Sequence, residues 1–398
     1  MTASLDRWRR PEILLILLSV AMPISFSTWM AVINNFAIER AAFTGADMGV
    51  LQSVREIPGF LSFAVVFVLL FIREQSLALL SLSLLGTGVA LTGFFPGFAG
   101  LLITTFVMSV GFHYFETVRQ SLALQWLDKD EAPKVLGRLV AAGSFAGLIA
   151  FGLIYLGVHL AGLEMKWIML IGGGVTVALT FAAWVLFPRF PAKVEQHKTL
   201  ILRRRYWLFY ALTFMSGARR QIFVVFAGFL MVEKFGFDVA AMSLMFLANH
   251  ALSMVLAPRI GKLIGRFGER RALTFEYVGL IGVFTAYAFV DTAWIAVGLY
   301  IVDHIFFAMA IAIKTYFQKI ADPRDIASSS GVSFTINHIA AVAIPVAFGV
   351  LWMVSPAAVF LAGSAMAVCS LGLARLVPPV PAPDDETIFA RQRLLAVD

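Results

Sequence analysis

Residues 188–205 of this 398-residue chain read PRFPAKVEQHKTLILRRR: six basic side chains, one acid and two prolines, with no apolar run longer than three residues. This is the longest polar connection in a sequence otherwise made of long apolar stretches, and six such stretches lie on each side of it. Before it they fall near 12–33, 46–71, 76–95, 98–126, 139–160 and 166–187; after it they fall near 206–232, 239–260, 272–290, 293–318, 331–354 and 357–377. Each approximates the roughly 20 residues that a helix needs to cross a hydrocarbon layer about 30 Å thick. The expected fold is therefore an all-α polytopic membrane protein with twelve transmembrane helices. The first stretch follows Arg7, Arg9 and Arg10 as in a signal peptide, but it is long and lacks an obvious small-residue cleavage site, so it reads as a retained helix.

Composition points to the same solvent. Apolar residues make up 60% of the chain and charged residues 14%, with a mean hydropathy of +0.87, against about 45–50% and about 25% in soluble domains. Twenty-four acids and 31 bases cannot cover the two or three cores that a soluble protein of 43.6 kDa would build, which excludes an ordinary soluble enzyme. A β-barrel is excluded because its strands alternate apolar and polar residues. The single cysteine, Cys369, rules out an intrachain disulfide and reads as a small buried apolar residue.

A net charge of +7 would suit nucleic acid if it were spread over a surface. With the N-terminus placed in the cytoplasm, however, 23 of the 31 Lys and Arg fall on that side, three (Arg40, Lys166, Lys234) fall outside, and five (Arg55, Arg119, Arg219, Arg220, Lys314) lie within spans. Basic cytoplasmic loops are the rule for multi-pass proteins. The charge therefore reads as topology, with both termini cytoplasmic in a plasma or bacterial inner membrane, a lipid bilayer as partner and no nucleic acid.

A shift of 194 residues superimposes the two halves, pairing Glu39 with Glu233, Met48 with Met242, Gly88 with Gly282, Asp128 with Asp322 and Gly137 with Gly331 while apolar segments and loops stay in phase. Sustained register of this kind predicts a parallel repeat of six-helix bundles. The expected organisation is an N-terminal bundle over 1–187, a cytoplasmic linker over 188–205, a C-terminal bundle over 206–377, and a disordered cytoplasmic tail over 378–398 that begins with Pro378, Pro379, Pro381 and Pro383.

Between the eighth and ninth spans the chain reads Gly261-Lys262-Leu263-Ile264-Gly265-Arg266-Phe267-Gly268-Glu269-Arg270-Arg271. Together with twelve spans, a basic central loop and a 6+6 repeat, this resembles the major facilitator superfamily of secondary transporters, whose short cytoplasmic signature is Gly, three residues, Asp, Arg, any residue, Gly, then basic residues. The resemblance implies a gating role for Gly261, Arg266, Gly268, Arg270 and Arg271. The two glycines would permit a tight turn and the arginines would engage carbonyl-rich helix ends. Gly265 departs from the pattern, where the family usually has Asp, and the first-half copy near Ile72-Arg73-Glu74 has almost vanished. Drug/proton antiporters of the family commonly carry a Gly-Pro motif in span five. Here that span has Gly143, Gly147 and Gly152 without the proline, and its glycines read as close-packing positions.

An ionisable side chain at mid-bilayer costs roughly 2.5–3.5 kcal/mol on insertion scales, so interior charges are expected to face protein or water. Spans three, six and twelve have none, and span nine has only Glu276, whereas spans two, four, seven, eight, ten and eleven carry the rest. In the superfamily, spans three, six, nine and twelve lie outermost and one, four, seven and ten line the cavity, and the charge map follows that division. Span ten carries Asp303, Phe307, Ala310 and Lys314 on one helical face, and subtracting 194 gives Ser109, His113, Glu116 and Gln120 on a face of span four. Each stripe reads either as a cavity wall or as an internally paired set fixing helix rotation; Arg119, three residues from Glu116, would neutralise it.

In span seven the face of Arg220 includes Thr213 and Ser216, whereas that of Arg219 includes Leu212, Met215, Phe223 and Phe226, so Arg220 is the better substrate ligand unless it pairs with Asp303 or Glu116. Guanidinium stays charged and binds carboxylate or phosphate bidentately. Substrate-binding candidates are Arg220, Arg219, Arg119, Gln120, Lys314, Trp29 and Tyr114. Proton-coupling candidates are Glu116, Asp303, Glu56, His113, His250 and His304, because buried carboxylates and histidines change charge near neutrality. A packing role is the alternative for any single histidine, His338 among them.

We find no nucleophile elbow, zinc-protease helix, nucleotide-phosphate loop or paired metal ligands. The chain is therefore read as no enzyme, with no cofactor and no metal. The expectation is a monomeric secondary active transporter working by alternating access, proton-coupled, carrying a small organic anion or amphipathic metabolite. Within the same fold the rival is proton-driven efflux of drugs or lipids; in another class it is a non-transporting scaffold or assembly factor.

Overall fold

The computed structural model describes residues 8–126, 132–190, 202–322 and 326–389. Among these residues there is no β-strand, and the chain forms fifteen α-helices. They are α1 (Pro11–Ala41), α2 (Gly45–Phe60), α3 (Val65–Val68), α4 (Glu74–Thr92), α5 (Phe98–Trp126), α6 (Ala132–Ala161), α7 (Met165–Leu186) and α8 (Trp207–Gln221). The rest are α9 (Gly228–Glu233), α10 (Val239–Phe267), α11 (Glu269–Phe289), α12 (Ala293–Ala308), α13 (Ile311–Ile320), α14 (Ile326–Val354) and α15 (Pro356–Arg375). Eleven helical segments among the described residues are long and apolar enough to cross a membrane.

The twelfth apolar stretch is the second, and it is broken. Pro58 lacks the N–H that would continue the ladder of α2. Past it the backbone tightens into a 3₁₀ turn over Leu61–Ala64, where the Ser62 hydroxyl donates to Pro58 O at 3.3 Å. Two other spans are irregular inside. A π-helical segment, Ile222–Ala227, joins α8 to α9, and a turn at Met309 and Ala310 separates α12 from α13. The first helix runs eight residues further than hydropathy suggests. Asn34 and Asn35 are buried in it, and Asn35 Nδ2 donates to Phe237 O at 2.6 Å. It stops where Ala42 turns left-handed, and Thr44 then caps α2 with Asp47 in a reciprocal box.

The chain divides into two compact units, each built mostly from one half plus one short segment of the other. The first contains 1–43, 54–198 and 236–250; the second contains 44–53, 199–235 and 251–398. In the first, α4 packs on α5 and α7 while α1 packs on α6 and α7. These crossings are close because small residues sit in them: a Cβ on Gly86 would meet Gly173 O at 2.7 Å, and one on Gly143 would meet Ser19 O at 3.0 Å. Gly147 faces Ser27 at 3.4 Å from such a Cβ, but Gly152 looks into open space, so of the span-five glycines it is the one without a packing reason. In the second unit α11 packs on α15 and α8 on α14 around buried Phe226, Tyr277, Phe284 and Phe360.

Two expectations need correction. Cys369 is exposed on α15. The proline-rich segment after α15, expected to be disordered, is folded as far as Phe389. Val377, Pro378, Glu386 and Thr387 are buried, Tyr316 Oη donates to Glu386 O, and Ile388 N donates to Leu376 O at 3.0 Å. Proline content suggested a solvated chain, but in a turn that folds back on its own helix the missing N–H groups would have no ladder to complete. Residues 390–398 lie outside the described residues, as do 191–201 of the linker.

Candidate functional site

Arg219 and Arg220 close the last turn of α8, about 100° apart around its axis. Arg219, 3% exposed, turns towards α11, with Nη2 3.7 Å from Glu276 Oε1 and its guanidinium 4.3 Å from the centre of the Tyr277 ring; its Nε donates to Met215 O at 3.1 Å. Glu276 is wholly inaccessible. Arg220 is exposed, with its guanidinium 5.3 Å from the centre of the Phe307 ring.

Arg220 and Phe307 line two adjoining cavities of the second unit. The smaller, about 110 Å³, has Arg219, Phe223, Asp303 and His304 on its wall, and Asp303 is only 3% exposed. The larger, about 320 Å³, is lined by Thr213, Ser216, Lys314, Ser333 and Asn337, with Phe209 and Phe307 presenting aromatic surface. Among the described residues its wall carries two cations and no acid. Phe223, placed by helical periodicity on the buried side with Arg219, lines the smaller cavity with both arginines. The π-helical segment begins one residue before it and changes the phase of everything that follows.

The first unit holds a second polar cluster. Arg55 and Glu56 are buried and form an ion pair, Ser109 Oγ donates to Arg55 O, and the Arg55 guanidinium lies 5.5 Å from the ring centre of fully buried Trp29. His113 Nδ1 lies 3.0 Å from both Ser109 Oγ and Ser109 O, and its Nε2 is 3.9 Å from Glu56 Oε2. One turn along α5, Arg119 grips Glu116 bidentately at 3.1 and 3.0 Å, and Tyr114 is half-buried between these groups in sequence. The Gln120 side chain lies outside the described residues.

Four histidines, His113, His250, His304 and His338, share one arrangement. Nδ1 lies 2.8–3.1 Å from the carbonyl four residues earlier: Ser109 for His113, Phe246 for His250, Tyr300 for His304 and Phe334 for His338. A carbonyl only accepts, so Nδ1 carries the proton and a second proton would go to Nε2.

At the signature turn, Gly268 alone makes the reversal between α10 and α11, with φ +84° and ψ 160°. Gly261 sits inside α10, so the expectation that both glycines shape the turn is corrected. Arg266 and Arg271 are exposed and Arg270 is half-buried, while Glu269 is buried and bound to Lys319 Nζ at 2.7 Å. The sequence assigns no binding, proton-coupling or gating role to Glu269, Glu276 or Tyr277. Glu276 stands out in the sequence as the one interior charge of span nine, a span that the resemblance places outermost.

A bundle of apolar helices that keeps its scarce charges inside and around cavities is a membrane transporter in build. The family model of the Major Facilitator Superfamily matches residues 59–345, and the protein belongs to that superfamily. It is thus a multi-pass membrane protein of a transporter family whose members are not enzymes. The nucleoside transporter NupG is similar in structure, with TM-score 0.73 and 16% identity over 92% of this chain and 98% of that one. A mutant form of the same transporter gives TM-score 0.78 and 14% identity over 92% and 99%. A bacterial homolog to the human lysosomal transporter Spinster, inward-facing and occupied, gives 0.70 and 13% over 91% and 93%. At such identities the likeness is one of fold. No curated protein matches the chain in sequence.

Proposed function

We propose that this protein is a secondary active transporter that works by alternating access, couples to protons, and carries a small organic anion with an apolar or aromatic part. The observation that carries this reading is the larger cavity: Arg220 and Lys314 face a space of about 320 Å³ with hydroxyls, one amide and two phenyl faces, and no acid among its described residues. That volume is at the lower end of the roughly 300–1,000 Å³ of ligand pockets. Two cations would hold a carboxylate or phosphate, with Arg220 offering the paired donors of guanidinium. Thr213, Ser216, Ser333 and Asn337 would meet polar substituents. Glu56, Glu116, Asp303, His113, His250 and His304 are the groups proposed to exchange protons. Arg219, held against Glu276, is a positioning residue and not a ligand. The molecule is proposed to act as a monomer in the plasma membrane.

The reading is tested by thermal unfolding of the purified protein against aromatic and aliphatic carboxylates, phosphate esters, amines and nucleosides, because a ligand of the folded state raises its stability by mass action. Anions should stabilise it and amines should not. Arg220→Ala should weaken that anion binding about 10- to 100-fold, the equivalent of a charged hydrogen bond of roughly 1.5–3 kcal/mol. Stabilisation by nucleosides in place of carboxylates would overturn the anion and leave a substrate like that named for NupG. In proteoliposomes with an imposed pH gradient, accumulation with the proton flow would mean symport, accumulation against it antiport, and indifference to the gradient would overturn the coupling.

A further inference from the structure

We infer that the folded tail, residues 377–388, is a strap that holds α13, and with it Lys314, against α8, so that the tail sets how well the larger cavity keeps an anion. Only the effect on an anion rests on the reading above; the hold on α13 stands apart from it.

Across the junction of α12 and α13 the backbone bonds span three residues: Met309 N donates to Phe306 O at 2.9 Å, Ala310 N to Phe307 O at 3.0 Å, Ala312 N to Met309 O at 2.9 Å and Ile313 N to Ala310 O at 3.0 Å. Such 3₁₀-type bonds have poorer geometry than the α ladder, and inside a long helix they mark a hinge. Beyond the hinge, α13 carries Ile313 and Lys314 on the wall of the larger cavity. Where that wall stands is therefore set by what grips the far part of α13. On the α8 side the grip is Phe317, stacked on Phe209 at 4.1 Å and edge-on to Tyr206 at 5.3 Å. On the α11 side it is Lys319, 2.7 Å from Glu269.

The third grip is the tail. After α15 the chain reverses at Pro383 and Asp384: Asp384 has φ +66° and Asp385 N donates to Ala382 O at 3.1 Å, the pattern of a turn with proline second and a left-handed residue third. The chain then runs back until Ile388 N meets Leu376 O, and Val377, Pro378, Pro381, Glu386 and Thr387 are buried along the way. Fully buried Tyr316 of α13 donates from Oη to Glu386 O. Tyr316 follows Lys314 by two residues, about 200° around the helix, so the tail grips α13 on the side away from the cavity. The same strap passes the α10–α11 turn, where a Cβ on Gly268 would lie 3.8 Å from Pro379 O, and reaches the end of the linker through Arg205 Nη1, 3.9 Å from Asp384 Oδ1. That exposed ion pair contributes little; the buried hydrogen bond and the covered apolar groups carry the hold. Without the strap the Tyr316 hydroxyl loses its partner, and α13 is free to swing at Met309 and Ala310 and take Lys314 with it.

Hydrogen exchange of the full chain in lipid vesicles, read by mass spectrometry, tests the hold. Asp384→Pro forbids the left-handed backbone that the turn needs, whereas Asp384→Gly permits it while removing the same carboxylate. Tyr316→Phe removes the one hydroxyl and serves as the second disrupting variant should Asp384→Pro not fold. Amides of 311–320 should exchange about 3- to 10-fold faster in Asp384→Pro and in Tyr316→Phe, the size of one net hydrogen bond, with Asp384→Gly like the wild type and α11 unchanged in all three. Unchanged exchange of 311–320 in both disrupting variants overturns the inference, and so does equal acceleration of α11 and α13, which is general loosening. Benzoate then probes the cavity: Asp384→Pro should weaken its binding about 3- to 10-fold, and should weaken it no further when Lys314→Gln is already present. Equal weakening in both backgrounds overturns the link to Lys314. Failure of benzoate to bind the wild type counts against the anion reading alone, and the exchange comparison still decides the strap.

Discussion

Two adjacent arginines have been given different work by the helix that carries them. Arg219 points into the core, where Glu276 and the face of Tyr277 receive it, and Arg220 points into cavities. Removing one partner of a buried pair leaves an uncompensated charge and costs about 3–5 kcal/mol, whereas replacing both by apolar groups is often nearly neutral. Glu276→Gln should therefore lower the thermal midpoint strongly, and Arg219→Met/Glu276→Leu should recover most of the loss. Equal stability of Glu276→Gln and wild type would show that the 3.7 Å approach contributes nothing. The positions of these charges were legible in the sequence, since each one interrupts an apolar stretch. Their partners were not: the ion pair between α8 and α11 joins residues 57 positions apart, and nothing local in the chain announces it.

The elements divide in the same way. Length and hydropathy located all twelve apolar stretches, because the thickness of a bilayer imposes one number on every crossing. The interruptions within them depend on finer chemistry. Pro58 explains one, but the π segment at Ile222–Ala227 and the turn at Met309 follow no local residue signal that we can name. Helix crossings are equally tertiary. Gly86 and Gly173 meet backbone to backbone, and neither can acquire a methyl group unless α4 and α7 move apart. Gly173→Ala should cost about 1–3 kcal/mol through overpacking, read as a lower unfolding temperature in detergent. Gly152→Ala, with nothing within 4 Å of the new Cβ, should be neutral or slightly stabilising because alanine is the better helix former. If both substitutions behaved alike, close approach would not be what holds these helices together.

At the scale of the whole molecule the repeat is the strongest regularity. The short segment that joins the second unit, 44–53, maps under the 194-residue shift onto 238–247, within the segment 236–250 that joins the first. The two short segments thus stand at corresponding positions of the repeat expected from the sequence. Orientation in the membrane is a separate property, set by where the basic residues fall, and the division of 23 against three expected from the sequence predicts cytoplasmic termini. The single cysteine makes this measurable. In a Cys369→Ser background, Glu164→Cys places a thiol in the short exposed turn between α6 and α7, Thr199→Cys places one in the central linker, and Ala396→Cys places one near the C-terminus. A membrane-impermeant maleimide applied to intact cells should label Glu164→Cys at once, and should reach Thr199→Cys and Ala396→Cys only after the membrane is opened. Labelling of the linker from outside would invert the orientation. Different behaviour of the linker and the C-terminus would mean that the six crossings counted between them are not six, because an even number of spans returns the chain to the side it left.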